Sequence, residues 1–245
     1  MLYLATGGFV LAGTMAPFTF LVVDGLFSPA RPSGFGQDGA TLLVLARRSL
    51  FLAVAPAMLA TLLAMAASSL ASLYAPFRTF YRRWFYTVLF TNPVFLVLGM
   101  TVLLNRLPSE LAVTLASWLV LMPLVALPIQ AAVDQAPATE LLAARSLGAS
   151  SAELVRLHLI PAIGSTAIAA FGLATVFALG FYLLPTFVGY GHTPTLGSAI
   201  DAAVNRLGDN KAAAQLGILL VGLEVCLCAA ILMLVAVRAM LHRAR

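Results

Sequence analysis

Few side chains in this 245-residue chain carry chemistry of their own, and their spacing decides what chemistry is open to them. The three histidines, His158, His192 and His242, stand far apart, with neither an H-x3-H pair nor clustered carboxylates to hold a metal. Cys226 and Cys228 are two residues apart in an apolar run, so on a helix they point to different sides and suit packing better than shared ligation. Gly189 and Gly191 lack the strand-to-helix setting of a dinucleotide site and read as a turn. No Gly-x4-Gly-Lys-Ser/Thr phosphate loop occurs, so the chain offers no site for ATP of the P-loop kind. What remains is Asn92, Gln130 and Glu224, polar residues set inside apolar runs. Polar groups at membrane depth are costly and by default mark a pathway or a partner. A carboxylate at Glu224 suits a cationic solute, a neighbouring helix or a partner subunit.

The elements that position these groups centre on Glu140 to Pro161, an amphipathic, charge-bearing stretch in an otherwise apolar chain. Leu141, Leu142, Ala144 and Leu147 recur at helical spacing, and Leu154, Leu157 and Ile160 do so again. Gly148 between them suits the left-handed residue that ends a helix, and Ser150 with Glu153 has the spacing of a capping box that starts the next. Pro161 suits the first turn of a third helix, where a missing N–H costs nothing.

Read from Leu142, the pattern x-Ala-Ala-x3-Gly, nine residues, then x-x-aliphatic-Pro resembles the EAA loop of bacterial ABC importer permeases. Ala143, Ala144, Gly148, Ile160 and Pro161 fall on motif positions; Leu142 stands where the motif has glutamate and His158 where it has an aliphatic residue. The segment Leu184 to Leu196 resembles the stretch after the fifth helix in spermidine/putrescine-type permeases. The resemblance implies a permease subunit whose cytoplasmic helix-turn-helix loop docks on a separate ATPase dimer, with ATP and Mg bound there and no cofactor in this chain. It assigns coupling to Glu140, Leu142, Ala143, Ala144, Gly148, Ala149, Ile160 and Pro161. Either Glu140 supplies the acidic contact that Leu142 lacks, or that contact is missing. A degenerate loop of this kind is tolerable beside a fuller one, which points to a second permease subunit of different sequence. The remaining implied partners are an extracytoplasmic substrate-binding protein and membrane lipid. A polyamine-type solute is favoured, with other small amines, organophosphonates, thiamine or ferric iron as alternatives.

Composition leads to the membrane by a separate route. The chain is 62% hydrophobic and 9% charged, with mean hydropathy +1.01, whereas soluble domains carry about 25% charged residues. Apolar runs of membrane-spanning length fall at about 2–23, 49–74, 84–104, 111–133, 161–184 and 212–237. The expected fold is all-α, a polytopic bundle of six transmembrane helices forming one domain over 1–245, with the coupling loop at 138–160. The first run has no basic residue ahead of it and exceeds a signal-peptide core, so it is expected to be retained. Arg78, Arg82 and Arg83 between the second and third runs, and Arg238, Arg243 and Arg245 after the last, place both segments and both termini in the cytoplasm. Arg145 and Arg156 put the Gly148 loop there too, while Arg31, Arg47, Arg48, Arg106, Arg206 and Lys211 fall on the outer side and make the bias modest. The location implied is a bacterial inner membrane.

The net charge of +5 does not indicate nucleic-acid binding, because the arginines are dispersed over membrane-flanking segments where anionic lipid is a sufficient partner. Pro56, Pro93, Pro123 and Pro128 are expected to kink the second, third and fourth helices. Beyond Pro185, an amphipathic stretch at about 196–206 puts Ala199, Ala203 and Leu207 on one face, suited to packing onto the bundle. A secondary transporter would show paired hydropathy repeats and a channel a filter-like loop, and neither pattern is evident.

Overall fold

The computed structural model describes residues 39–91, 93–135, 144, 146–181, 183–190 and 192–243. The run at 2–23, and with it the count of six spans, lies outside them. Among the described residues the regular elements are all helical: α1 (Gly39–Leu73), α2 (Ala75–Phe90), α3 (Pro93–Leu103), α4 (Ser109–Gln135), α5 (Ser151–Leu154), α6 (Ile160–Gly180), α7 (Leu183–Phe187), α8 (Leu196–Asn205) and α9 (Asn210–Arg243). A π-helical turn, Val155–Leu159, joins α5 to α6. Four of these helices are long and apolar enough to cross a membrane, and a fifth crossing arises if α2 and α3 count as one bent span.

Alanine faces hold the centre together. Ala53, Ala57, Ala60, Ala64 and Ala71 form a buried stripe on α1, opposed by Ala112, Ala116 and Ala126 of α4 and by Ala167, Ala170 and Ala174 of α6. Between them, Leu121, Val125, Ile129 and Ile163 fill the gaps. Larger side chains such as Phe51, Leu62, Leu63 and Phe177 point outwards. That arrangement suits a bilayer, where lipid tails are as apolar as leucine and small residues let helices approach closely.

Two ion pairs fix the directions. Arg48 near the start of α1 meets Glu110 in the first turn of α4 at 2.5 Å, and Arg78 just past α1 meets Asp134 in the last turn of α4 at 2.6 Å. The helices α1 and α4 therefore run parallel. Against them α6 runs antiparallel, with Ala178 and Leu179 beside Ser49, Leu52, Val113 and Ser117. The helix α9 returns along α6: a Cβ on Gly172 would meet Ile231 and one on Gly180 would meet Glu224.

The arginine segment expected as a loop between the second and third runs is instead the helix α2. It begins with Pro76 in its first turn after an extended Tyr74, and its Tyr81 and Phe85 are buried against the core. The Tyr81 hydroxyl lies 3.1 Å from Ser68 Oγ, so α2 folds back along the end of α1. The third span, expected as one helix over 84–104, is a pair bent by 103°. Pro93 heads the second member, and the residue before a proline is forced out of the helical region. Asn92, which precedes Pro93 in sequence, lies outside the described residues. By contrast Pro56, Pro123 and Pro128 lie within uninterrupted helices. The amphipathic stretch is α8, capped by Thr195 and Ser198, with Ala199 and Ala203 buried as expected but Leu207 exposed beyond the last turn.

Asp134 ties two helices, α2 and α4, at one end of the bundle. It accepts from Arg78, lies 3.4 Å from Arg82, and accepts from Gln130 Nε2 at 2.9 Å. The Asp134→Asn substitution keeps the Gln130 bond and removes the charge, so it is expected to cost about 1 kcal/mol, since the arginines are half exposed. The thermal midpoint of the purified protein should fall, and fall less at high salt; an unchanged midpoint at low salt would remove this anchor. Gly189 offers a second check, because a Cβ there would run into the Thr193 hydroxyl and the Pro185 carbonyl, whereas Gly99 has nothing within 4 Å. The Gly189→Ala variant should lose about 1–3 kcal/mol by overpacking, while Gly99→Ala, in mid-helix, should be neutral or slightly stabilising.

Candidate functional site

The elbow around Gly148 is built by two reciprocal backbone closures. The Ala149 N–H donates to the Ala144 carbonyl at 3.1 Å across Gly148, whose φ of 87° is left-handed. That is the six-to-one bond of a Schellman helix end, and it calls for a residue without a Cβ penalty. The surroundings leave room for a side chain at Gly148, so the requirement is conformational and not steric. Two residues on, the Ser150 N–H donates to Glu153 Oε2 at 2.8 Å and the Glu153 N–H donates to Ser150 Oγ at 3.3 Å. This is the capping box that the spacing implies, and the two Ser150 donors hold the Glu153 carboxyl below its usual range.

Beyond the cap the chain departs from expectation. Pro161 stands in the first turn of α6 as its position implies, but α6 is not a separate element: the chain runs helically from Ser151 through the π turn into it. The Ile160 N–H reaches back to the Val155 carbonyl, five residues away. Proline lacks an N–H and its ring crowds the carbonyl four residues earlier, and one widened turn relieves both. The elbow is thus continuous with a membrane helix instead of being hinged to it.

One side of the elbow is anchored and the other is bare. Leu154 and Leu159 are each 1% exposed, and Leu159 joins the central core. Leu147 is 88% and Leu157 65% exposed at the outer edge. Ala149 is half-buried. Ile160 is partly exposed and lines an apolar groove of about 310 Å³ between α1 and α6, with Met58, Thr61, Met65, Gly164 and Phe171. Pro161 is exposed beside it. Glu140, Leu142 and Ala143 lie outside the described residues.

The intramembrane polar residues are not brought together. Gln130 is buried in α4 and turned towards Asp134. Glu224 lies midway along α9, half-buried, facing Gly180 near the far end of α6. The charge anchor at Asp134 is not legible from the arginines alone, which serve in the sequence only to assign sides. The signal available is a lone acidic residue at the end of the fourth apolar run, opposite in sign to the arginines after the second. Among the described residues no group of three or more His, Cys, Asp or Glu is placed to hold a metal.

Comparison with known proteins bears on this architecture. A chain in the solved inward-facing MetNI methionine ABC transporter superposes with a TM-score of 0.65, covering 82% of this chain and 99% of that one at 16% sequence identity, a likeness of fold. No curated protein matches the chain in sequence. The model of the family described as "Binding-protein-dependent transport system inner membrane component" matches residues 60–242, from the alanine stripe of α1 through the elbow to the end of α9. With more than half of the chain matched, and membrane helices on both sides of the capped elbow, the chain belongs to this family: it is a multi-pass membrane permease component of a binding-protein-dependent ABC importer.

Proposed function

We propose that this permease is driven through the Gly148 elbow by a separate ATPase dimer that binds ATP and Mg, while a substrate-binding protein delivers solute at the opposite end of the bundle. The observation that carries the proposal is the elbow's construction. Both helix ends at Gly148 and Ser150 are closed by hydrogen bonds, Leu159 roots the following helix in the core, and Leu147 and Leu157 stand bare at the rim. An element of that kind transmits displacement, because its backbone has no soft turn to absorb it. Exposed leucines on a capped rim suit a groove on another protein; the small residues Ala143, Ala144 and Ala149 suit close approach, and Glu140, two residues before Leu142 in sequence, is the candidate for a polar contact. On this reading the elbow and both termini are cytoplasmic, the membrane is the bacterial inner membrane, and a second permease of different sequence completes the pathway.

The solute we favour carries an ammonium group. Support comes from Glu224, a carboxylate at mid-span beside the open face of Gly180. Polyamines and other small amines fit, and so does the amino group of methionine, the solute of the structural neighbour's transporter. Asn92 belongs to the same proposed pathway, and Gln130 acts from its buried place beside Asp134.

Reconstitution with the cognate ATPase, binding protein and sister permease, followed by a screen of solutes for stimulated ATP hydrolysis, tests the reading. Stimulation only by solutes without an ammonium group would overturn the solute class and leave the coupling scheme standing. Replacing Gly148 with valine forces a β-branched side chain into left-handed backbone, at a cost of about 1–2 kcal/mol. Transport should fall at least tenfold while membrane insertion and basal hydrolysis persist; unchanged uptake would refute the elbow's role. The cap also has a defined pH response. Because the Glu153 carboxyl is held below its usual range, its contribution is fully present above the ordinary carboxylate pKa and is lost as pH falls through the lowered value. Protection of the Ser150 amide in hydrogen exchange, corrected for intrinsic rate, should therefore stay level from about pH 8 to about pH 5 and fall only in stronger acid.

A further inference from the structure

We infer that the outward face of α2 is a binding site for anionic phospholipid headgroups, with Arg83 as its charged contact and the Phe80–Trp84 pair as its floor. Helical spacing gives α2 two faces. Arg78, Tyr81 and Phe85 turn inwards, the first to Asp134 and the others into the core. Phe80, Arg83, Trp84 and Thr87 recur at three and four residues on the other side, and all four are exposed.

The depth of this face follows from the ion pairs. Arg78 and Arg82 share Asp134 in the last turn of α4, so the first half of α2 lies level with the ends of the spanning helices α1 and α4. Arg83 is five residues past Arg78, about 7–8 Å along the helix, within reach of the same level for an extended guanidinium. Tyr74, Trp84 and Tyr86 are exposed over the same stretch. Amphipathic aromatics flanked by arginine are the composition of a membrane–water boundary.

Charge selects the occupant. Of the three arginines on α2, Arg78 and Arg82 occupy Asp134, the one carboxylate that pairs with this helix among the described residues. Among the described residues Arg83 forms no ion pair. A guanidinium at the edge of an apolar bundle needs an anionic or aqueous partner, and acyl chains provide neither. The Phe80 and Trp84 rings stack at 6.4 Å with 23° between planes, an apolar ledge on which the glycerol and upper acyl region of a lipid can rest while its phosphate meets Arg83. This inference depends on the geometry of α2 and not on the transport reading.

The test is titration of the delipidated full-length protein with phosphatidylglycerol, phosphatidylcholine of the same chains, and water-soluble glycerol phosphate, followed by native mass spectrometry and thermal shift. Phosphatidylglycerol should bind saturably and raise the thermal midpoint, with an affinity that weakens as salt increases. Glycerol phosphate should bind negligibly, since it lacks the part that rests on the ring ledge. The Arg83→Gln variant should weaken phosphatidylglycerol binding about fivefold, Arg83→Lys should restore most of it, and Trp84→Leu should weaken both lipids. Equal binding of the two lipids, salt-independent affinity in the unmodified protein, or glycerol phosphate binding as tightly as lipid would overturn the proposal. So would Arg83→Gln changing the oligomeric mass while leaving lipid affinity intact, which would mark the face as a protein contact.

Discussion

Close approach of α1, α4 and α6 along their alanine faces is the constraint on which the remaining geometry depends. In water, burying large apolar side chains drives helices together; between lipid chains that force is absent and contact area at short range takes over. Alanine at positions such as Ala57, Ala60, Ala116 and Ala167 lets the backbones meet, and the bulky side chains are left to face lipid. Once these three helices are fixed, their ends are fixed too. The Arg48–Glu110 and Arg78–Asp134 pairs can form only because α1 and α4 run parallel and in register.

Two features extend from that core towards its ends. On one side, α4 ends at an aspartate held by two arginines of α2 and by Gln130. On the other, the elbow passes without a break through the π turn into α6, whose Ile163, Ala167 and Ala170 belong to the same core. A flexible loop would dissipate movement at its joints. Here the joint at Gly148 is a closed helix end, the joint at Ser150 is a capping box, and the irregularity that Pro161 imposes is taken up by one widened helical turn.

Much of this is readable from the residues. The Gly148 helix end, the Ser150–Glu153 box, the membrane class, the length of the spanning runs and the packing of Ala199 and Ala203 all rest on interactions between residues a few positions apart, which spacing records directly. The third span shows where that stops. Its apolar content is plain in the sequence, but hydropathy is blind to direction, and a proline such as Pro93 disfavours helical backbone at the residue before it whatever the apolar content. The basic segment from Arg78 to Arg83 reads as a loop because charge counts carry no information on which face a residue occupies. Tyr81 and Phe85, at helical spacing through the same segment, are the subtler sign that it is a helix with a core side.

The sequence by itself determined the local closures and the solvent, because capping, turn chirality and transfer of apolar side chains into lipid depend on residue type and short separation. Only the tertiary structure decided that Arg78 and Arg82 meet Asp134, that Glu224 faces Gly180, and that Pro161 lies within a continuous helix. These depend on which helix faces approach, across as many as 56 residues of chain in the case of Arg78 and Asp134. No pattern along a single helix encodes that choice; it comes from how small side chains on separate helices let their backbones come together.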